Sequence, residues 1–231
     1  EKSNEITAIP KLLELLEIKG CIVTTDAMGT QTEIAKKIRE KGADYILSLK
    51  GNQAGLYDDV KLFMDGYCKD AEAKNGDIYA YSLDNEHGRI EKRECFICED
   101  IGWLHGREKW TDLNGIGMII AKVEENGRKT EQRHYFIYSC KNMTAQEIMR
   151  AKRAHWGIEN SLHRVLDIAF REDESRARKG DSAEIFNILR QIVINILKLD
   201  SSFKESIPNK QFRCLLDSDY LDRIVDLWIC S

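Results

Sequence analysis

The sequence is poor in proline, with two in 231 residues, and it contains no run of 18 apolar residues. A membrane-spanning helix needs such a run, so we expect no transmembrane segment and no membrane partner. The polar first residues, EKSNEITAIP, do not resemble a secretory leader, which predicts a cytoplasmic protein. They also lack an initiator Met, so we interpret the chain as part of a longer protein. The apolar fraction of 42% is sufficient for one large domain or two small ones.

Seven cysteines, an odd number in a chain without a secretory leader, favour reduced thiols over disulfides. Cys95 and Cys98 form a single C-x-x-C motif within a predicted strand. Residues three apart in a strand point to opposite faces, so the two thiols are poorly placed to bind one metal ion. We therefore expect both side chains to pack in the core.

The first predicted region, residues 1–70, alternates helix and strand. After an amphipathic helix, the segment CIVTT is typical of a buried strand, which ends at Asp26. Thr30 and Glu33 fit a capping box for the next helix, and DYILSL is typical of a second buried strand. A strand, a helix and a strand in this order predict a βαβ unit with two parallel strands in one sheet.

The following residues change from alternating elements to strands alone. The segments YAYSL, RIEKRECFICE, GIGMIIAKVEE and EQRHYFIYS alternate or are β-branched, which predicts an antiparallel, β-rich insertion. Helices return after it, where Thr144 and Glu147 fit a second capping box. The predicted α/β organisation is a core of residues 1–70 and 141–200, the β-rich insertion of residues 71–140, and a C-terminal amphipathic helix within residues 201–231.

The segment HWGIENSLHRVLDIAF carries four polar residues at four-residue spacing beside an apolar stripe. These residues are His155, Glu159, His163 and Asp167, and on a helix they share one face. Taken alone, the stripe is typical of a solvated face. A zinc site is disfavoured because His155 and His163 are eight residues apart, with Glu159 between them.

Asp26 and Lys50 follow the two predicted parallel strands. Ligands of α/β proteins gather at the carboxyl ends of such strands, although an aspartate there also commonly stabilises a turn. Hydrolysis and transfer of phosphodiesters by two Mg²⁺ ions needs several convergent carboxylates. Asp26 at a strand end and Glu159 on a helix packed against the sheet would supply two of them. A third has no obvious candidate in the sequence.

Four segments in order resemble one known family. They are EKSNEITAIPKLLELLEIKGCIVTTDAMGTQTEIAKKI, DYILSLKGNQ, HGRIEKR and HWGIENSLHRVLDIAFRED, and together they resemble the H-repeat-associated group of bacterial insertion-sequence transposases. The resemblance covers essentially the whole chain and implies a DDE-type enzyme with an RNase H-like core, truncated at its N-terminus. It implies that Asp26 is the second catalytic aspartate and Glu159 the catalytic glutamate, both binding Mg²⁺ or Mn²⁺. The first aspartate would lie on a strand preceding Glu1.

The same resemblance implies DNA as partner, with the protein acting as a homodimer on transposon ends. Basic residues of HGRIEKR would contact phosphates, and polar residues beside the two carboxylates would contact DNA near the active site. The residues concerned are Lys50, Asn52, Arg89, Lys92, Arg93, Arg153 and His155. One departure from the family pattern is Arg164, which occupies a position where a Trp is expected.

Two other interpretations are open at this point. The net charge of −4 and the missing third carboxylate favour a non-catalytic remnant of a transposase that at most binds DNA or a partner. A phosphoacceptor domain with Asp26 and Lys50 at adjacent strand ends is disfavoured, because the β-rich segment interrupts the regular βα units that such a domain needs.

Overall fold

The computed structural model describes residues 5–70, 76–86, 88–158 and 162–229. They form two compact units, residues 1–155 and residues 156–231. The first unit contains all the described strands, and the second is helical. No helix of the described residues is long and apolar enough to cross a membrane.

The first unit begins with the predicted βαβ unit. Its elements are helix α1 (Glu5–Leu15), strand β1 (Ile22–Thr25), helix α2 (Thr32–Glu40), strand β2 (Asp44–Leu49) and helix α3 (Ala54–Tyr67). Strands β1 and β2 are parallel, with Ile22 opposite Asp44 and Thr25 opposite Leu47. The prediction of two parallel strands is therefore confirmed.

Four antiparallel strands extend the same sheet. They are β3 (Tyr79–Glu86), β4 (Arg89–Cys98), β5 (Gly115–Glu125) and β6 (Arg128–Tyr138). The sheet order is β1-β2-β6-β5-β4-β3, and β6 pairs antiparallel with β2, with Leu47 opposite Ile137. The β-rich segment thus continues the sheet of the βαβ unit instead of forming a sheet of its own. Its boundaries as a domain stay a prediction.

The two faces of the sheet are covered differently. On one face, α2 and α3 bury Ile34, Ile38, Val60 and Met64 against Tyr45 and other strand residues. On the other face lies helix α4 (Ala145–Ile158), whose buried stripe is Ala145, Ile148, Met149 and Lys152. This spacing of three, four and seven residues is that of one helix face. Cys95 and Cys98 are both buried in β4, as predicted for core residues.

Helix α4 also contacts the strand at the far edge of the sheet. The guanidinium of Arg153 on α4 lies 2.9 Å from the carboxylate of Asp84 on β3, the strand at the far edge of the sheet from β1. The same Asp84 carboxylate is 2.8 Å from Arg93 on β4. Twist accumulates along long strands, which brings their ends over the sheet face. Helix α4 is consequently held from both edges of the sheet.

The second unit consists of helices. They are α5 (Arg164–Phe170), α6 (Ser182–Leu199), α7 (Ile207–Leu216) and α8 (Ser218–Ile229). Leu197, Tyr220 and Ile224 form the buried cluster of this unit. The carboxylate of Asp200 accepts a hydrogen bond from the Tyr220 hydroxyl at 2.7 Å and so links the end of α6 to α8.

The predicted C-terminal amphipathic helix is confirmed as α8, and one local prediction is wrong. The described residues after 200 contain α7 in addition, because Ser206 caps a helix with Pro208 in its first turn and the extended Asp217 separates it from α8. Thr30 and Glu33 form no capping box, since Gln31 is the N-cap residue of α2 and makes no side-chain cap. The second capping box is confirmed, with the Thr144 amide 2.9 Å from the Glu147 carboxylate.

Candidate active site

Asp26 lies directly after β1, exposed at the carboxyl end of the two parallel strands. Its Oδ1 accepts a hydrogen bond of 3.1 Å from the backbone N–H of Gly29, which fixes the carboxylate within its own turn. A Cβ atom at Gly29 would lie 2.8 Å from the Cβ of Thr25, so only glycine fits there. The predicted strand-end position of this carboxylate is confirmed.

The loop that carries Asp26, residues 26–31, is held by hydrogen bonds from both sides. The hydroxyl of the fully buried Thr30 lies 3.1 Å from the Asp26 carbonyl oxygen and 2.5 Å from the Ser48 carbonyl oxygen. Asn52 donates its side-chain amide to the Ala27 carbonyl, and Gln53 donates to the Thr30 carbonyl at 3.0 Å. The end of β2 and the segment between β2 and α3 therefore fix the position of the Asp26 loop.

Two polar contacts attach α4 to the strands beside this loop. The Lys152 ammonium donates to the Ser48 hydroxyl on β2 at 2.5 Å. The Nδ1 atom of His155 lies 3.1 Å from the Thr24 hydroxyl on β1, two residues before Asp26. Helix α4 therefore lies on the sheet face to which the Thr24 side chain points. Residues i and i+2 of a strand share a face, and Asp26 follows Thr24 by two residues.

Positive charge surrounds this end of the sheet. Burial lowers the pKa of Lys152 to about 8, and the charge of Lys50 acts in the same direction, whereas Asp26 opposes the shift. Burial also lowers the pKa of His134 on β6, with Lys152 and Lys50 adding to the effect. Asp26 is the carboxylate that favours the charged form of Lys152.

Glu159, the second predicted carboxylate, and its neighbours 160 and 161 lie outside the described residues. The described part of α4 ends at Ile158. Among the described ranges, no three His, Cys, Asp or Glu side chains lie close enough to hold a metal ion together. Asp26 itself suits a hard cation, because its exposed carboxylate offers oxygen ligands of the kind that Mg²⁺ prefers.

The predicted DNA contacts fall into two groups. Three basic residues of β4 are bound to carboxylates: Arg89 to Glu91 at 3.4 Å, Lys92 to Glu94 at 3.5 Å, and Arg93 to Asp84 and Glu91. Arg153 is likewise paired with Asp84. By contrast, Lys50 is exposed at the end of β2 and forms no ion pair with a described residue. Asn52 and His155 stabilise the surroundings of Asp26 through the hydrogen bonds given above.

Lys152 was not among the residues singled out from the sequence. A lysine on an amphipathic helix is ordinarily solvated, yet only 2% of this side chain is exposed. The available signal was its spacing, because Lys152 occupies the seventh position after Ala145 in the stripe that Ile148 and Met149 continue. An ionisable residue at such a position indicates a buried charge.

Residues 1–196 match the family model described as the transposase DDE domain. The chain belongs to the DDE transposase family. This shows the predicted family, and it implies an RNase H-like fold for the mixed α/β first unit with its six-stranded sheet.

Individual proteins are similar to this DDE family member over nearly its whole length. The chain is 37% identical over 230 residues to YhhI, an H repeat-associated relative from Escherichia coli strain K12, and equally similar to YbfL of the same strain. It is 36% identical over 229 residues to YncI of Escherichia coli O157:H7. Each alignment covers 97% of this chain, which spans about 60% of the length of these relatives.

Proposed function

We propose that this chain forms part of a DNA transposase that cuts and joins DNA strands at Asp26 and Glu159, with DNA as substrate and Mg²⁺ or Mn²⁺ as cofactor. The observation that carries the proposal is the attachment of α4 beside Asp26. The contacts Ser48–Lys152 and Thr24–His155 fix this helix to β2 and β1, and α4 runs to Ile158, the residue before Glu159. Membership of the DDE transposase family supports DNA strand transfer as the reaction of the full-length protein.

The loop geometry supports a metal ligand at Asp26. Its backbone is held by Thr30 and Asn52, and one carboxylate oxygen is oriented by the Gly29 amide. A ligand fixed in this way loses little conformational entropy when it binds an ion. Bound divalent ions supply activation of the attacking oxygen and stabilisation of the leaving one in phosphodiester chemistry.

A third carboxylate would come from a further strand. Strand β1 pairs with β2 alone among the described strands, so its other edge is open to hydrogen bonding. A strand added there would end beside Asp26 and could place an aspartate next to it. We propose that the first catalytic aspartate of the full-length transposase lies on such a strand and that two copies act together on DNA.

The test is a strand-cleavage and strand-transfer assay on insertion-sequence ends, performed with the full-length protein. Asp26→Ala and Glu159→Ala are each expected to reduce both reactions to background while DNA binding persists. Asp58→Ala, which removes an exposed carboxylate of α3, is the matched control and should keep normal activity. Full activity of either site variant would refute the assignment. DNA binding without cleavage by the unaltered full-length protein would favour the non-catalytic remnant.

A further inference from the structure

Lys152 is a charged group in an apolar setting. The side chain is 2% exposed, and it continues the buried stripe of Ala145, Ile148 and Met149 on α4. An ammonium in such a place needs a negative partner or strong hydrogen bonds, because transfer of a charge from water to a protein interior is costly. The hydrogen bond that it donates goes to the neutral hydroxyl of Ser48.

No described carboxylate lies within 4.0 Å of the Lys152 ammonium, since none of the ion pairs between described residues includes it. The Asp26 carboxylate favours the charged form of Lys152, whereas the cation Lys50 disfavours it. Hydrogen bonds connect Lys152 to the loop that carries Asp26. The ammonium bonds the Ser48 hydroxyl, and the Thr30 hydroxyl bridges the carbonyl oxygens of Ser48 and Asp26.

The charge of the Lys152 ammonium would also act on a divalent ion bound at Asp26. Opposite charges near a carboxylate stabilise its ionised form, whereas a second cation placed beside that ion is repelled. Lys152 cannot move away into solvent without leaving its buried position and its bond to Ser48. Its burial and its bond to Ser48 therefore hold the ammonium at the strand end that the Asp26 loop contacts.

We propose that Lys152 is a positioning residue that acts through Asp26: its buried ammonium balances this carboxylate in the metal-free protein and weakens the binding of divalent ions there. The inference rests on the proposed role of Asp26 as a metal ligand. It adds a determinant of metal affinity that lies on α4, seven residues before Glu159 in the sequence.

The experiment is a titration of the full-length protein with Mn²⁺ at pH 7, in which the electron paramagnetic resonance signal of free Mn²⁺ gives the dissociation constant. Lys152→Met keeps the length and packing of the side chain but removes its charge, and Mn²⁺ should bind about tenfold more tightly. Lys152→Arg keeps the charge and should bind within about twofold of the parent. Arg150→Met, which removes an exposed charge from the same helix, is the matched control and should also stay within about twofold.

The sign of the change distinguishes an electrostatic role from a structural one. If Lys152 only packs α4 against the sheet, its replacement by Met would leave Mn²⁺ affinity unchanged or weaken it, and either result overturns the inference. Asp26→Ala in the same titration separates this inference from the proposed function. Loss of Mn²⁺ binding in Asp26→Ala with no tightening in Lys152→Met would leave the metal site standing and refute the role of Lys152. Unchanged Mn²⁺ binding in Asp26→Ala would refute both.

Discussion

Basic side chains at the two ends of the sheet have different surroundings. At the outer end of the long strands, which we call the ribbon (residues 81–86, 88–93 and 122–133), each cation that the sequence suggested for DNA contact has a carboxylate partner. At the Asp26 end (residues 24–31, 48–53, 152 and 155), Lys50 and Lys152 form no ion pair with a described residue, while neutral hydrogen bonds fix the loop. Similar side chains are thus paired with carboxylates in one place and left without a described ion pair in the other.

The ribbon pairs lie both within single strands, as Lys92–Glu94 does, and between elements. Lys122 lies within 3.6 Å of both Glu94 and Glu131 on the two flanking strands, and Arg133 is 2.6 Å from Asp65 of α3. Opposite charges on adjacent strands stabilise a sheet modestly and cancel its field. The ribbon is therefore an unpromising phosphate-binding surface in this state, in spite of the number of basic residues in its sequence.

The largest effect on stability is expected for a substitution in the Asp26 loop, whose hydrogen bonds are neutral. Thr30→Val removes a fully buried hydroxyl without changing side-chain shape and leaves the Asp26 and Ser48 carbonyl oxygens without that donor. We expect a loss of about 2 kcal/mol in the free energy of unfolding, because a buried polar group left without its partner costs about 1–3 kcal/mol. Urea denaturation followed by circular dichroism measures it. A loss below about 0.5 kcal/mol would show that the hydroxyl does not hold the loop.

A smaller effect should separate the unpaired cation of one end from a paired cation of the other. Lys50→Met is expected to weaken DNA binding several-fold and to reduce the slope of log affinity against log salt by about 1, as for the loss of one phosphate contact. Lys92→Met removes a cation that lies 3.5 Å from the Glu94 carboxylate, and its affinity should stay within about twofold. Fluorescence anisotropy with a labelled duplex at several salt concentrations gives both quantities. Equal losses in the two variants would contradict the comparison.

The smallest effect is expected when one carboxylate of the ribbon is removed, so that its cations are less compensated. Asp84→Asn removes the carboxylate shared by Arg93 and Arg153 and leaves both guanidinium groups with less compensation. We expect DNA affinity at low salt to rise about twofold to threefold, and the rise should disappear at high salt because exposed charges are then screened. The same anisotropy titration measures it, with Asp58→Asn on α3 as the control for loss of one negative charge. An unchanged affinity would mean that DNA does not approach this side of α4.

Much of the first unit was predictable from local patterns. The β-branched segments CIVTT and DYILSL, separated by an amphipathic helix, are sufficient to predict two parallel strands, and Asp26 follows the first of them. The capping box of Thr144 and Glu147 predicted where the helix on the other face begins. These features depend on residues a few positions apart, which is the range over which periodicity and capping act.

Other features depend on partners distant in the chain. Thr30 looked like a helix cap, but its hydroxyl bonds the carbonyl of Ser48, 18 residues away, because the loop is buried between two strand ends. The roles expected for Arg93 and Arg153 rested on charge alone, whereas strand register and tertiary packing bring Asp84 to both. Pairing of this kind cannot be read from a sequence, since a shift of one residue in register would turn each side chain to the opposite face.

The sequence by itself determined the family, the βαβ unit and the place of Asp26 at a strand end. Each of these depends on short motifs and on the periodicity of neighbouring residues. Only the tertiary structure decided which charges stay uncompensated. Folding buried Lys152 on Ser48, and it placed the ribbon cations against carboxylates of the same strand and of a neighbouring strand. The physical reason is that electrostatic interaction depends on distance and burial in space, which residue type and spacing along the chain do not specify.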